Sequence, residues 1–115
     1  HRKSFYGVIM GTAAAADNIL TTAVPNMHIM PSSMALAGAE IDLLDADNRE
    51  FRLRDALATV ASHYDYILLD CPPTLGYLTI NALVASDWVV VPMQCEFYSL
   101  EGVQQLLMTI PCMTR

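Results

Sequence analysis

The sequence predicts an α/β domain in which helices cover a parallel β-sheet. Stretches with helical periodicity alternate along the chain with short runs of strand-forming residues, which is the pattern of parallel-sheet proteins. Two of these runs, residues 64–70 and 87–93, contain a continuous apolar stretch, as strands do when both faces of their sheet are covered. With 115 residues, 54% of them hydrophobic, the chain has the length of a single domain and can form a core.

The first half of the chain is predicted to be mainly helical, with one short strand. Ser4 can cap a helix that ends at Gly11, and the alanine-rich residues that follow are also predicted to be helical. Residues 26–31 are predicted to form a short strand that ends in proline. The next helix begins after Ser32 or Ser33 and is expected to bury a stripe of apolar side chains at helical spacing, formed by Met34, Ala37, Ile41 and Leu44.

The second half is predicted to alternate between helices and strands. A polar turn over residues 45–48 precedes a surface helix that starts near Glu50. The apolar side chains at helical spacing on its inner face are Leu53, Leu57, Val60 and Tyr64. The elements predicted after it are, in order, a strand over 64–70, a loop over 71–76, a helix over 77–85, a strand over 87–93 and a last helix capped by Ser99.

Composition argues against several classes of function. The net charge is −6 with only six Lys and Arg, so no basic surface for nucleic acid is predicted in this chain alone. The three cysteines are an odd number without C-x-x-C spacing, which indicates neither a disulfide framework nor a zinc site. No apolar run approaches the ~20 residues of a membrane span. A cytoplasmic protein without a membrane segment is therefore expected.

Asp70 is the candidate functional residue, because it ends an apolar strand. Ligands of open parallel sheets bind outside the carboxyl ends of the strands, and an acid there can hold a hydrated Mg²⁺ beside nucleotide phosphates. The alternative is that Asp70 only caps or shapes a turn, since four apolar residues before an aspartate recur by chance in many α/β proteins. From the residues alone, both interpretations stay open.

The phosphate-binding loop that would complete such a site does not occur among the 115 residues. That loop has the pattern G-x-x-x-x-G-K-[ST], in which backbone amides surround the phosphates and the lysine meets their charge. None of the five glycines has this spacing, and Lys3 is the sole lysine.

Four segments, taken in chain order, resemble the ParA/Soj-type chromosome and plasmid partitioning ATPases, which are relatives of MinD in the deviant-Walker P-loop group. The resemblance covers residues 4–110. Four motif blocks in one order are unlikely to coincide by chance. The segments are "PSSMALAGAEIDL", "REFRLRDAL", "YDYILLDCPPTLGYLTINAL" and "VVVPMQCEFYSLEGVQQLL".

The resemblance implies a P-loop NTPase (Rossmann-like) fold, of which residues 1–115 would be the central part of one domain. Such proteins bind ATP and Mg²⁺, form a homodimer with ATP, and bind DNA nonspecifically as dimers. A centromere-binding, ParB-type protein stimulates hydrolysis, and the cycle distributes plasmids or chromosomes. These properties would place the protein in the bacterial cytoplasm, associated with the nucleoid and not with a membrane.

By the same resemblance, Asp70 matches the Walker B aspartate, which holds Mg²⁺ through water. The residues after it match the switch II loop, which senses the γ-phosphate and contributes to the dimer face. Thr74 stands where the family commonly has serine, so a hydroxyl is retained. The loop consists of Cys71, Pro72, Pro73, Thr74, Leu75 and Gly76.

The family's P-loop lysines and its switch I aspartate are expected to lie before residue 1, so no catalytic residue is predicted within this chain. The chain alone is expected to be inactive, and whether it acts as an enzyme stays open. One alternative is a degenerate relative that acts only as a protein-interaction module. Another is a receiver-like phospho-acceptor domain, which would need further acids near the first strand and a later lysine, and neither is found.

The resemblance also predicts a stability problem for the isolated chain. In this fold the P-loop strand lies between the strands that match residues 67–70 and 88–92. Without that neighbour both strands would have unpaired edges. The isolated chain is therefore expected to aggregate, to fold loosely or to self-associate.

Overall fold

The structure, a computed structural model, describes residues 3–92. Its regular elements are short and are connected by turns. The α-helices are α1 (Phe5–Ile9), α2 (Ala39–Asp42), α3 (Arg52–Ala58) and α4 (Tyr77–Ala85), and the strands are β1 (Leu20–Thr21) and β2 (His28–Ile29). Single 3₁₀ turns are formed by Ala16–Asn18, Met34–Gly38, Leu43–Asp45 and Ala61–His63.

Helix α1 begins and ends where the sequence predicts. The Ser4 hydroxyl accepts a hydrogen bond from the Tyr6 amide at 3.2 Å and caps the first turn. The helix stops at Gly11, which has a φ of +80°, a conformation that favours glycine. Arg52 donates to the Met10 carbonyl at 3.1 Å and ties this end of α1 to α3.

The prediction of a helix in the alanine-rich segment is wrong. Only Ala16–Asn18 form a 3₁₀ turn there. After Gly11 the chain folds back, because the amides of Thr12 and Ala13 both donate to the Gly7 carbonyl, at 2.9 and 3.0 Å. A left-handed residue directly before the segment therefore outweighs the high helix propensity of alanine.

Strands β1 and β2 form a two-stranded antiparallel ladder that pairs Leu20 with Ile29 and Thr21 with His28. The predicted strand within residues 26–31 is thereby confirmed, although its partner β1 was not predicted. Both strands are exposed. Within residues 3–92 this pair is antiparallel and belongs to a sheet of two strands.

The predicted buried stripe in residues 34–44 is wrong. Met34 is 95% exposed and Ile41 is 71% exposed, and Ala37 and Leu44 are also exposed. Ala39 and Leu43 are fully buried instead. The segment passes from a 3₁₀ turn into α2 and then into another 3₁₀ turn. Because a 3₁₀ turn has three residues and not 3.6, the inward face changes along the segment.

The main core lies between α1, α2, α3 and α4. Leu53 is buried and Leu57 is half-buried, which confirms the predicted inner face within α3. The predicted helix ends earlier than expected, so Val60 and Tyr64 lie beyond α3, in a second cluster with Val8 and Ala15. Helix α4 has the predicted bounds. The buried members of the main cluster are Ile9, Ala39, Leu43, Leu53 and Ala82.

Asn81 joins α4 to the start of α3 through a fully buried side chain. Its Oδ1 accepts from the Leu53 amide at 3.0 Å, so it caps the first turn of α3. Its Nδ2 donates to the Arg49 carbonyl at 2.6 Å and to the Tyr77 carbonyl at 2.8 Å. Both the oxygen and the nitrogen of this side-chain amide therefore have hydrogen-bond partners, as a buried amide requires.

The two apolar runs predicted as parallel strands form no hydrogen-bonded ladder within residues 3–92. A strand exists as such only when a second backbone pairs with it, and no described segment lies in that position. Large apolar side chains are consequently exposed, such as Leu68 at 93% and Trp88 at 89%. The predicted final helix capped by Ser99 lies outside the described residues.

The exposed apolar runs lead to a testable expectation for the isolated 115-residue chain. Light scattering coupled to size exclusion should give a mass above the 12.7 kDa monomer, rising with concentration. The double substitution Leu68→Lys with Val90→Lys should shift the distribution towards monomer, because charges on an unpaired edge oppose pairing. Met34→Lys, at an equally exposed site outside both runs, is the matched control. A monodisperse wild-type monomer with a sharp melt would contradict the expectation.

Candidate functional site

Asp70 lies at the surface at the end of the extended run 65–70. The residue before it, Leu69, is half-buried and packs against the main core. The run is therefore attached to the core at its last apolar residue and presents the next side chain, a carboxylate, to solvent. The magnesium role of this carboxylate stays a prediction.

The loop after Asp70, residues 71–75, is exposed throughout. Pro72 and Pro73 fix φ and carry no amide hydrogen, so the middle of the loop is stiff and offers few backbone donors. Thr74 is exposed, and its hydroxyl can donate or accept a hydrogen bond. The structure thus keeps Asp70 and the loop together on one exposed surface.

The surroundings of the Cys71 thiol disfavour its thiolate form. Partial desolvation of the sulfur, and after it the neighbouring Asp70 carboxylate, raise the pKa of this thiol, although the residue as a whole is exposed. A protonated thiol is a poor nucleophile at neutral pH. Its sulfur lies 3.5 Å from the Leu69 carbonyl, as a weak donor would. The geometry therefore favours a role in shaping the loop and not in reacting.

The loop ends at Gly76, the residue directly before the first helical residue of α4. A side chain from another helix caps this end of α4. The Glu40 carboxylate of α2 accepts from the Tyr77 amide at 2.6 Å and from the Leu78 amide at 3.1 Å. A carboxylate at this position also meets the positive end of the α4 dipole. The far end of the loop is thereby fastened to α2.

Sequence reasoning missed Glu40 because its partners lie 37 and 38 residues away along the chain. A local signal existed nevertheless. Gly76 at the N-cap of α4 has no side chain, and no side-chain cap comes from its neighbours. A helix of nine residues without a local cap indicates that a distant acceptor is required.

Tyr77, the first residue of α4, makes a second contact in addition to its amide hydrogen bond to Glu40. The guanidinium carbon of Arg49 lies 4.7 Å from the centroid of the Tyr77 ring, within the range of a cation–π interaction. Arg49 is itself fixed by a 2.6 Å hydrogen bond to the Leu44 carbonyl. The start of α4 is therefore bound on two sides.

A single surface carboxylate suits Mg²⁺ better than most metals. Mg²⁺ usually keeps several waters and is bound through one or two carboxylates together with substrate phosphates. Within residues 3–92 no group of three or more His, Cys, Asp or Glu side chains is placed to hold a metal ion. The Asp70 carboxylate is exposed and therefore accessible to a hydrated cation.

No helix in the described part of the chain is long and apolar enough to cross a membrane.

The chain is similar to several known proteins. The family model described as AAA domain matches residues 1–115. The sporulation initiation inhibitor protein Soj of Bacillus subtilis is 52% identical over 91% of this chain and 42% of its own length. The chromosome partitioning protein ParA of Myxococcus xanthus is 47% identical over 93% of this chain and 38% of its own length. The chain therefore spans about two fifths of these relatives.

A solved structure confirms the α/β fold class. The chain superposes with a TM-score of 0.86 and 40% identity on the cobyrinic acid a,c-diamide synthase of Mycobacterium smegmatis, crystallised with ADP and magnesium. The match covers 94% of this chain and 44% of that structure. The conformation of residues 3–92 is thus that of the corresponding part of a complete α/β domain, although its ladder partners are not among the described residues.

Proposed function

Because the chain belongs to the ParA/Soj-type partitioning ATPases of the AAA domain family, we propose that it supplies the magnesium-binding and γ-phosphate-sensing part of an ATP-driven DNA partitioning protein. The observation that carries this proposal is the exposed Asp70 at the end of an apolar run, followed by a stiff diproline loop that enters a doubly held helix. An acid and a loop so arranged can respond to a charged ligand beyond the strand end.

Asp70 is assigned to Mg²⁺. Its carboxylate would contact the ion through water, and the ion would neutralise charge on the β- and γ-phosphates during hydrolysis. The side chain is exposed and therefore accessible to a hydrated ion. The ADP and magnesium bound by the solved relative support the assignment of both ligands to the full protein.

The residues from Cys71 to Gly76 are assigned to nucleotide sensing, as a switch II loop. The two prolines limit the conformations of the loop, while the Thr74 hydroxyl is able to donate to a phosphate oxygen or to a water molecule near it. A loop with one end at Asp70 and the other at a fixed helix start can adopt different positions with ATP and with ADP. Such a difference is what couples hydrolysis to assembly.

The proposed cycle includes a homodimer formed with ATP, nonspecific DNA binding by that dimer, and a ParB-type protein that stimulates hydrolysis. The partitioning names of the relatives support this assignment. The described residues carry no dense basic surface, so DNA contacts are assigned to other parts of the protein. The working location is the nucleoid.

A second candidate is the activity named for the solved relative, synthesis of a cobyrinic acid diamide, which the 40% identity favours. Partitioning is preferred because ParA of Myxococcus xanthus is more similar, at 47% identity. A third reading is the non-catalytic interaction module. These functions differ in what stimulates ATP turnover and in whether nucleotide is bound at all.

The test is ATP turnover by the full protein that contains this chain, measured as phosphate release with Mg²⁺. Duplex DNA together with the ParB-type partner should raise turnover severalfold, and the protein should be retained on DNA with ATP but not with ADP. Matched reactions with cobyrinic acid and glutamine in place of DNA are the control. Turnover that depends on cobyrinic acid and ignores DNA would favour the second candidate. Absence of nucleotide binding would favour the interaction module.

A further inference from the structure

Glu40 fastens the far end of the loop that follows Asp70. Its two carboxylate oxygens each accept one of the first two helical amides of α4, at 2.6 and 3.1 Å. Hydrogen bonds to an ionised acceptor are about twice as strong as neutral ones. Gly76, the N-cap residue, provides no side-chain cap of its own at this end of α4.

The position of Glu40 is itself fixed. Helix α2 begins with Ala39 and is followed by Leu43, and both of these residues are fully buried in the main core. The carboxylate is therefore carried by a backbone that cannot shift without disturbing close-packed neighbours. Glu40 thus links the start of α4 to the main core, and not merely to an adjacent loop.

Gly76 leaves the space that the carboxylate occupies. A Cβ at this position would lie 2.5 Å from Glu40 Oε1 and 2.6 Å from Glu40 Cδ. The φ of Gly76 is −83°, which any residue can adopt, so glycine is required here by the contact and not by backbone conformation. Any side chain at position 76 would displace Glu40.

We propose that Glu40 is the positioning residue of the switch II loop. By holding the start of α4, it confines nucleotide-dependent movement to residues 71–75, between Asp70 and Gly76. When the γ-phosphate is bound, the loop then moves to a defined position, and α4 does not loosen as a whole. This inference rests on the proposed function, because it assigns a role in sensing ATP to a residue that does not touch nucleotide.

The anchoring itself is tested by amide hydrogen exchange in the full protein. Glu40→Gln should speed exchange at Tyr77 and Leu78 by about tenfold, because an amide side chain offers one good acceptor where the carboxylate offers two. Gly76→Ala should do the same while Glu40 is retained. Asp45→Asn removes an equal charge from the adjacent 3₁₀ turn and should leave both amides unchanged.

The positioning role is tested by the ratio of ATP-analogue affinity to ADP affinity, a quantity that general destabilisation would not alter selectively. Glu40→Gln should lower this ratio by about fivefold or more, with ADP affinity unchanged. Glu40→Asp, which keeps the charge but shortens the reach, should restore part of the ratio. It also serves as the second variant if Glu40→Gln does not fold.

The possible failures of the two proposals are distinguishable. Unchanged exchange at Tyr77 and Leu78 would overturn the anchoring. Faster exchange with an unchanged affinity ratio would overturn the positioning role, in a wild-type protein that does favour ATP. A wild-type protein that does not distinguish ATP from ADP would overturn the proposed function, and the sensing role of Glu40 with it.

Discussion

Replacing Asp70 with alanine is expected to lower the Mg²⁺-dependent ATP turnover of the full protein by about 10²–10³-fold. Under the proposed function this carboxylate holds the hydrated ion, and without it the charge that develops on the phosphates would lose its fixed counter-ion. The residue is exposed, so the substitution removes no core contact. Steady-state phosphate release across a Mg²⁺ titration measures the effect.

Asp65→Ala is the matched control, because Asp65 is an exposed acid at the other end of the same run. It should leave turnover within about twofold of wild type, as surface substitutions away from a site usually do. Thermal unfolding of both variants should match the wild-type protein. Turnover that is unchanged by Asp70→Ala would refute the magnesium assignment.

Replacing Asn81 with aspartate is expected to lower the free energy of unfolding by about 3 kcal/mol. Asn81 Nδ2 donates to the carbonyls of Arg49 and Tyr77, and an aspartate would place an acceptor oxygen against both. The side chain is fully buried, so water cannot solvate the new charge. Urea unfolding of the full protein, followed by circular dichroism, measures the change.

Thr79 provides a control on the same helix. It is buried, and its hydroxyl has no hydrogen-bond partner among the described residues. Thr79→Val removes that unsatisfied group and keeps the shape, so stability should be unchanged or should rise by up to about 1 kcal/mol. A comparable loss in Thr79→Val and Asn81→Asp would mean that α4 tolerates no change, and that the Asn81 hydrogen bonds are not the cause.

The features that local rules determine were predictable from the sequence. Helix α4 has the predicted bounds because Gly76 and the polar residues after Ala85 delimit an apolar stretch. The inner face of α3 followed from the helical spacing of Leu53 and Leu57, which are buried and half-buried. The exposure of Asp70 is what a carboxylate after an apolar run favours, whereas its metal role stays a prediction.

The features that depend on other parts of the chain were not predictable. The stripe that includes Met34 was misassigned because 3₁₀ turns change the residue spacing, and a hydrophobic pattern does not distinguish 3₁₀ from α geometry. Glu40 caps a helix 37 residues away, a relation that only the packing of α2 against α4 creates. A parallel ladder likewise needs a partner strand from elsewhere, so the apolar run containing Leu68 is extended but unpaired within residues 3–92.

The proposed function requires that Asp70 serve a nucleotide site, for which the full protein would have to supply a phosphate-binding loop. The most direct test is the sequence of the coding DNA upstream of the His1 codon. We expect an in-frame strand followed by K-G-G-x-G-K-[ST], the loop that would hold the phosphates beside the magnesium ion. A start codon at or beside His1, with no such loop before it, would contradict the claim, and the interaction-module reading would then replace it.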